Sequence, residues 1–352
     1  VKIGIFSKFD VSGGSEFRCV SLANGLKEYT HHDAYLLSEK QHISDKVTPK
    51  LRDDVNVVRD CLTHPDVFYD MDHILVVNTD SKFYTTAEYW AGQSERHSHV
   101  IDLARIKGMS FLFNFIVSPA RHLEHIQKLC EDVRIIPGND KFFNEIDKKD
   151  KHEGIRSFPR MVLESPIHPE SVYPFKAPSN TVRIGKHSKG LSSKWCLEHR
   201  DLILKVNEIC GEDKIMWDFM GGSRDFNKSL KDIPNVITRK EFAIPVLVYL
   251  FGIDIFLFYP DWKRQEPWSR AVAEGLMSGC PVVATDADGG NRMQVKPGEN
   301  GFLCKDINGF ADALKFLIES PAELRKMGNS AMIGAQKFKT EEVVKRFLAF
   351  IE

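Results

Sequence analysis

The sequence predicts an α/β protein made of two doubly wound domains, and three observations carry that expectation. Short apolar runs alternate with longer amphipathic segments, the rhythm of βαβ units that build parallel sheets. The alternation pauses in a polar, proline-rich stretch near residues 144–178 and then restarts. A chain of 352 residues also has the length of about two ordinary domains.

Taken in order, residues 1–7 read as a strand that feeds the glycine turn Ser12-Gly13-Gly14-Ser15, with a helix over residues 16–29. Residues 34–37, 55–58, 74–78 and 111–117 are further strands, and Ser118-Pro119 turns the last of them into a helix over residues 121–131. Residues 144–160 hold the charge run Asp147-Lys148-Lys149-Asp150-Lys151, and Pro159, Pro166, Pro169, Pro174 and Pro178 follow, as a hinge would. The pattern resumes with a strand at 182–185, a turn at 186–194 and a helix at 195–210. Residues 214–220, 236–238, 253–259 and 281–285 are strand-like, with helices near 243–249, 269–278 and 307–320. Residues 341–352 form an amphipathic helix with apolar Val343, Val344, Phe347 and Phe350. The expected domains are 1–165 and 166–335, with a helix at 336–352 packing back on the first.

Composition narrows the function. A net charge of −1 gives no global pull toward nucleic acid or anionic lipid. The seven cysteines are scattered and form no CxxC pair, which argues against a zinc site or a disulfide framework and for a reducing cytoplasm. The chain opens on a strand-like run with no leader pattern, and its longest apolar stretch, residues 251–259, is interrupted by Asp254 and too short to span a bilayer.

Several features bear on an anionic, hydroxyl-rich ligand. Glu266 and Glu274 are separated by a little over two helical turns, about 12 Å along one face. That is too far to share a proton or a metal, but it suits gripping two ends of an elongated ligand. Gly13 and Gly14 open a helix directly after the first strand, where free N–H groups favour a phosphate; a plain tight turn is the other reading. Gly185, Lys186 and Lys194 lie after the first strand of the second domain, and lysines there suit a diphosphate, with a solvated basic loop as the alternative. Asp286-Ala287-Asp288 has the spacing of a divalent-metal pair, yet two carboxylates match by chance easily, and no metal is assigned.

Together these residues resemble the retaining glycosyltransferases of the GT-B fold, in particular the large family 4 group. That group carries E-x7-E in a stretch similar to EPFG-x4-EA-x-A-x-G-x-PVVAT. This chain has Glu266-Pro267-Trp268-Ser269, then Glu274-Gly275, then Gly279-Cys280-Pro281-Val282-Val283-Ala284-Thr285. Gly13-Gly14 resembles the family's first-domain glycine loop, Gly185-Lys186 with Lys194 its basic turn, and Gly298-Glu299-Asn300-Gly301-Phe302-Leu303 its later turn. The likeness covers residues 180–325 and, in the first domain, little beyond the opening strand and loop.

The resemblance implies two Rossmann-like domains facing a cleft and transfer from a nucleotide-diphosphate sugar, without a tightly bound cofactor or metal. It implies that Glu266 binds donor-sugar hydroxyls and Glu274 the ribose, while backbone N–H groups around Trp268, Ser269 and Arg270, with Pro267 beside them in the donor-binding stretch, hold sugar hydroxyls and the distal phosphate. Lys186 and Lys194 would neutralise the leaving diphosphate, and the base would lie near Thr238, Arg239 and Phe242. His97 or His99, backed by Asp102, would orient the acceptor or the sugar. Lys186 stands where the family has Arg, and Ser269 where it has Gly, a change expected to crowd the phosphate.

The acceptor is the open term. Residues 1–150 hold 19 basic against 23 acidic side chains, a net of −4, and no basic amphipathic helix that would seat on a membrane. A glycan or small-molecule hydroxyl is the first expectation. Hydroxymethylated bases of phage DNA are the alternative, with the basic residues between Lys141 and Arg160 as the local patch. A non-catalytic nucleotide- or glycan-binding protein of the same fold is the lesser one.

Overall fold

In the computed structural model the described residues are 1–9, 14–45, 47–77, 105–113, 132–137, 159–168, 181–260, 268–286 and 290–352. They form two compact units, one of Val1–Pro166 with Thr340–Glu352 and the other of Ile167–Lys339.

The first unit holds a six-stranded parallel sheet in the order β3-β2-β1-β4-β5-β6. Its strands are β1 (Lys2–Ser7), β2 (Asp33–Ser38), β3 (Asn56–Val58), β4 (His73–Val77), β5 (Met109–Phe113) and β6 (Val133–Pro137). The second unit repeats that order from its own first strand, as β12-β11-β10-β7-β8-β9. These strands are β7 (Val182–His187), β8 (Ile215–Met220), β9 (Val236–Arg239), β10 (Ile255–Phe258), β11 (Val282–Thr285) and β12 (Gly301–Cys304). In each sheet the strand order reverses beside the first strand, between β1 and β4 and between β7 and β10. Ligands of doubly wound folds bind off the carboxyl ends of the strands at that switch point.

The sheets are parallel because their strands are apolar on both faces. All of Ile255, Phe256, Leu257 and Phe258 are buried, as are β4 and β11 along their length. Helix Arg270–Met277 lies close on β10 because Gly275 has no side chain: a Cβ there would stand 2.8 Å from the Phe256 ring. Helix Thr340–Ile351 belongs to the first unit and packs on helix Gly14–Tyr29 through Val343, Val344 and Phe347. Gly25 makes that approach possible, since a Cβ would lie 2.3 Å from Thr340 Cγ2. Arg346 pairs with Glu164 at 2.7 Å, and the Arg134 guanidinium donates to the carbonyl of Phe350.

Among the described residues several elements depart from the expectations, including the short helices Asp66–Tyr69, Arg224–Ser229 and Asn291–Gln294, which no signal announced. β6 was not anticipated, because Arg134 interrupts a short run. The helix expected from residue 195 begins instead at His199, because residues 192–194 form a 3-10 turn and Trp195 turns inward, its Nε1 donating to the Lys189 carbonyl at 2.8 Å. Helix Pro321–Gly334 was also unforeseen, although proline in the first turn is a recognised start signal. The helix expected at residues 121–131 and most of the hinge segment lie outside the described residues.

Candidate active site

The site is built where β7, β8 and β9 end. Gly185 lies inside β7, and a Cβ on it would meet Ile253 Cδ1 at 2.3 Å, Tyr249 Oη at 2.6 Å and the Asp218 carbonyl at 2.9 Å. The space is needed by Tyr249, whose hydroxyl donates to the carbonyls of Lys186 (3.0 Å) and Asp218. Desolvation keeps that phenol protonated, raising it well above the usual tyrosine range. Beyond β8, Gly221 adopts φ 91°, and a Cβ would stand 1.9 Å from the Ser188 carbonyl, so the loops after β7 and β8 touch backbone to backbone. Arg239 closes the third strand end with a bidentate pair to the buried Asp218, both contacts at 2.8 Å. That pair raises the guanidinium further.

Lys186 has a different setting from the one expected. It is fully buried rather than poised as a mobile charge on an open loop. Its ammonium donates to the carbonyls of Lys194 (2.6 Å) and Tyr259 (2.8 Å) and lies 4.7 Å from the Trp195 ring centroid. A buried ammonium requires such partners, and here they tie the turn after β7 to the end of β10. Gly185 is likewise a packing glycine that makes room for Tyr249.

The opposite wall is helix Arg270–Met277. Ser269 caps it, its Oγ accepting from Val272 N at 3.4 Å. The Gln294 side-chain amide clamps the Ser269 peptide from both sides, accepting from its N–H at 3.1 Å and donating to its carbonyl at 2.8 Å. Trp268 is buried beside it, edge-on to Phe338. The Ser269 hydroxyl that the sequence comparison expected to crowd a phosphate is therefore turned inward as a cap.

Glu274 lies one turn into this helix, and Arg270 Nε donates to its Oε1 at 2.8 Å. Its Oε2 lies 3.4 Å from Nε2 of His187, the last residue of β7. His187 is 9% exposed and sits edge-on to Tyr249 and Phe256. Burial, together with the nearby charges of Arg270 and Lys194, lowers its protonation equilibrium despite Glu274. The fold thus gathers Lys194, His187, Arg270 and Glu274 at one switch point. His187 is the member that sequence reasoning missed: a lone histidine after a strand carries no signal until its carboxylate partner is known. Thr238 is exposed on β9, and Phe242 is exposed with φ 57°.

Glu266, Pro267, Gly13, His97, His99 and Asp102 lie outside the described residues, and Gly14 is the first residue of its helix. Asp286 of the DxD spacing pairs with Arg292 at 2.7 Å. Among the described residues no three His, Cys, Asp or Glu side chains converge as a metal site, and no helix is long and apolar enough to cross a membrane.

Residues 242–332, which contain this helix wall, match the family model for Glycosyl transferases group 1. Trehalose synthase of Pyrococcus horikoshii is 26% identical over 141 residues, which are 37% of this chain and 30% of that protein. Among solved structures, Anabaena HepE in complex with UDP superposes with a TM-score of 0.73 at 14% identity, covering 99% of each chain. Its UDP-glucose complex gives 0.71 at 15% identity, over 99% of this chain and 98% of that one. Sucrose-phosphate synthase from Thermosynechococcus elongatus gives 0.66 at 14%, over 99% and 97%. The two Rossmann-like units are those of the GT-B fold.

Proposed function

We propose that this chain is a retaining glycosyltransferase of the cytoplasm that moves a sugar from a nucleotide-diphosphate sugar, a UDP-sugar, to a hydroxyl of a glycan or small molecule. The observation that carries the reading is Glu274, held by Arg270 at the carboxyl end of β7 inside the stretch that matches the group 1 model. HepE, a structural neighbour, has been solved with UDP and with UDP-glucose, which favours uridine among the nucleotides.

In this reading Glu274 accepts the ribose hydroxyls and Glu266 those of the donor sugar. The N–H groups at Trp268 and Arg270 are assigned to the distal phosphate, where the helix start favours an anion, while the Ser269 N–H is held by Gln294 and Ser269 shapes the helix mouth as its cap. Lys194 supplies positive charge as the diphosphate leaves, the step at which negative charge develops. Lys186, buried, acts at one remove by fixing the turn that carries Lys194. Thr238 and Arg239 border the base, Gly13 and Gly14 are further donor-binding candidates, and His97, His99 and Asp102 are the acceptor-side candidates. Attack on the donor's front face, assisted by the departing phosphate, needs no protein nucleophile and no metal.

The test is release of UDP from UDP-glucose and related donors in the presence of hydroxyl acceptors. Glu266→Ala should lower kcat by about 100-fold, and Glu274→Gln should raise the donor KM by about tenfold. If the protein turned over no nucleotide sugar and Glu266→Ala behaved as the parent does, the enzyme reading would fail. Binding to duplex DNA that weakens steeply with salt would move the acceptor from a glycan to DNA.

A further inference from the structure

We propose that His187 is a positioning residue for the donor: its imidazole N–H fixes one oxygen of Glu274 while Arg270 fixes the other, so that the carboxylate is held to receive a vicinal diol. The proposal rests on the donor reading above and names how its ribose end is recognised.

The geometry is asymmetric. Arg270 Nε is at hydrogen-bond distance from Oε1, 2.8 Å, whereas His187 Nε2 stands 3.4 Å from Oε2. His187 Nε2 is buried and makes no hydrogen bond. Buried polar nitrogens are rarely left so, and an orphan in a binding site marks a contact completed when the ligand arrives. The imidazole itself is fixed: Tyr249 and Phe256 pack edge-on to it at 6.0 and 5.5 Å between centroids, and Tyr249 is tied to the Lys186 carbonyl. The carboxylate, at the end of a longer side chain, is the partner with freedom to move. A few tenths of an ångström bring it to the ordinary N–H···O length of about 2.9 Å.

Once both contacts are made, each carboxylate oxygen keeps one acceptor position. Two adjacent acceptors in a fixed plane match two adjacent hydroxyls, whereas a carboxylate held at one oxygen alone swings about that bond. The imidazole must be neutral for this. The groups facing it are Glu274 and Arg270 from helix Arg270–Met277, Lys194 from the 3-10 turn and Tyr249 from helix Val246–Phe251; Phe256 of β10 brings no charge. Burial and the two cations keep the ring uncharged near neutral pH, so it donates without cancelling the charge that the diol needs.

The experiment has two arms on the intact protein. The first follows the His187 imidazole by nitrogen NMR through a pH titration, in the parent and in Glu274→Gln. Removing the carboxylate should lower the His187 midpoint further; an unmoved midpoint would overturn the pairing, whatever the ligand. The second measures binding of UDP and of 2′-deoxy-UDP. His187→Phe, which keeps the ring and the packing, should weaken UDP by about five- to tenfold and reduce the preference for UDP over the deoxy form to about one. His187→Gln, which restores an N–H, should return UDP affinity to within about threefold of the parent. If His187→Phe bound both nucleotides as the parent does, His187 would be packing only. A parent that bound no UDP would instead sink the donor reading, and the titration arm would still decide the pairing.

Discussion

The two units share one strand order, yet they bury a histidine at opposite ends of their sheets. His73 begins β4 in the first unit, 4% exposed, with Nε2 at 2.8 Å from the Ser110 hydroxyl. His187 ends β7 in the second, with Nε2 unsatisfied and a carboxylate just beyond hydrogen-bond reach. The amino-end histidine is complete within its own sheet and the carboxyl-end one is not. Identical topology therefore yields a packing residue at one pole and a ligand-dependent one at the other, because chemistry follows the side chains placed at the switch point rather than the fold.

Acid gives the largest expected effect and strikes the packing histidine. Burial pushes His73 down to about 4. Its folded value lies below the unfolded one, so between the two the unfolded chain binds more protons and stability rises with pH. The contribution is therefore present above about pH 6.5 and is lost as pH falls toward 4, an expected total of about 3 kcal/mol. Urea unfolding at pH 7 and pH 4.5 should show most of that loss, and His73→Phe should flatten the dependence. A parent whose stability did not change over this range would break the assignment.

Gly185→Ala tests the crowded end of β7. The new methyl cannot coexist with Tyr249 and Ile253, and it should cost about 2–3 kcal/mol in thermal or urea unfolding. The comparison itself is sharpened by two like substitutions. His73→Phe at pH 7 should cost about 1–2 kcal/mol by stranding the Ser110 hydroxyl, with UDP affinity unchanged. His187→Phe should do the reverse, losing affinity while unfolding within about 1 kcal/mol of the parent. Equal stability losses in both would erase the distinction. The smallest effect is expected from Ser269→Ala, which removes the helix cap at a cost of about 1 kcal/mol, read from the unfolding midpoint.

What the sequence disclosed follows from the range of its signals. Strand positions such as 34–37, 55–58 and 74–78 were legible because buried parallel strands are written as local apolar runs, and they fall within or beside β2, β3 and β4. β6 escaped because Arg134, which pairs with Asp132 at 2.9 Å, breaks its run, and only pairing with β5 makes it a strand. In the site, Glu274 and Lys194 stood out by motif, being local patterns of residue types. Lys186 was misjudged because charge was taken to mean exposure, whereas the carbonyls of Lys194 and Tyr259 solvate it internally. His187 was silent, since its partner comes from a helix far along the chain.

The first unit also has a bearing on synthesis. It is discontinuous: its last part, Thr340–Glu352, is translated only after all of Ile167–Lys339. A ribosome therefore delivers the second unit whole while the first still lacks the helix that covers Gly25 and carries Phe347 into its core. The second unit can mature as it emerges, but the first must wait with apolar surface uncovered. A stop codon near residue 339 would thus damage the half of the protein made earliest and spare the half made last.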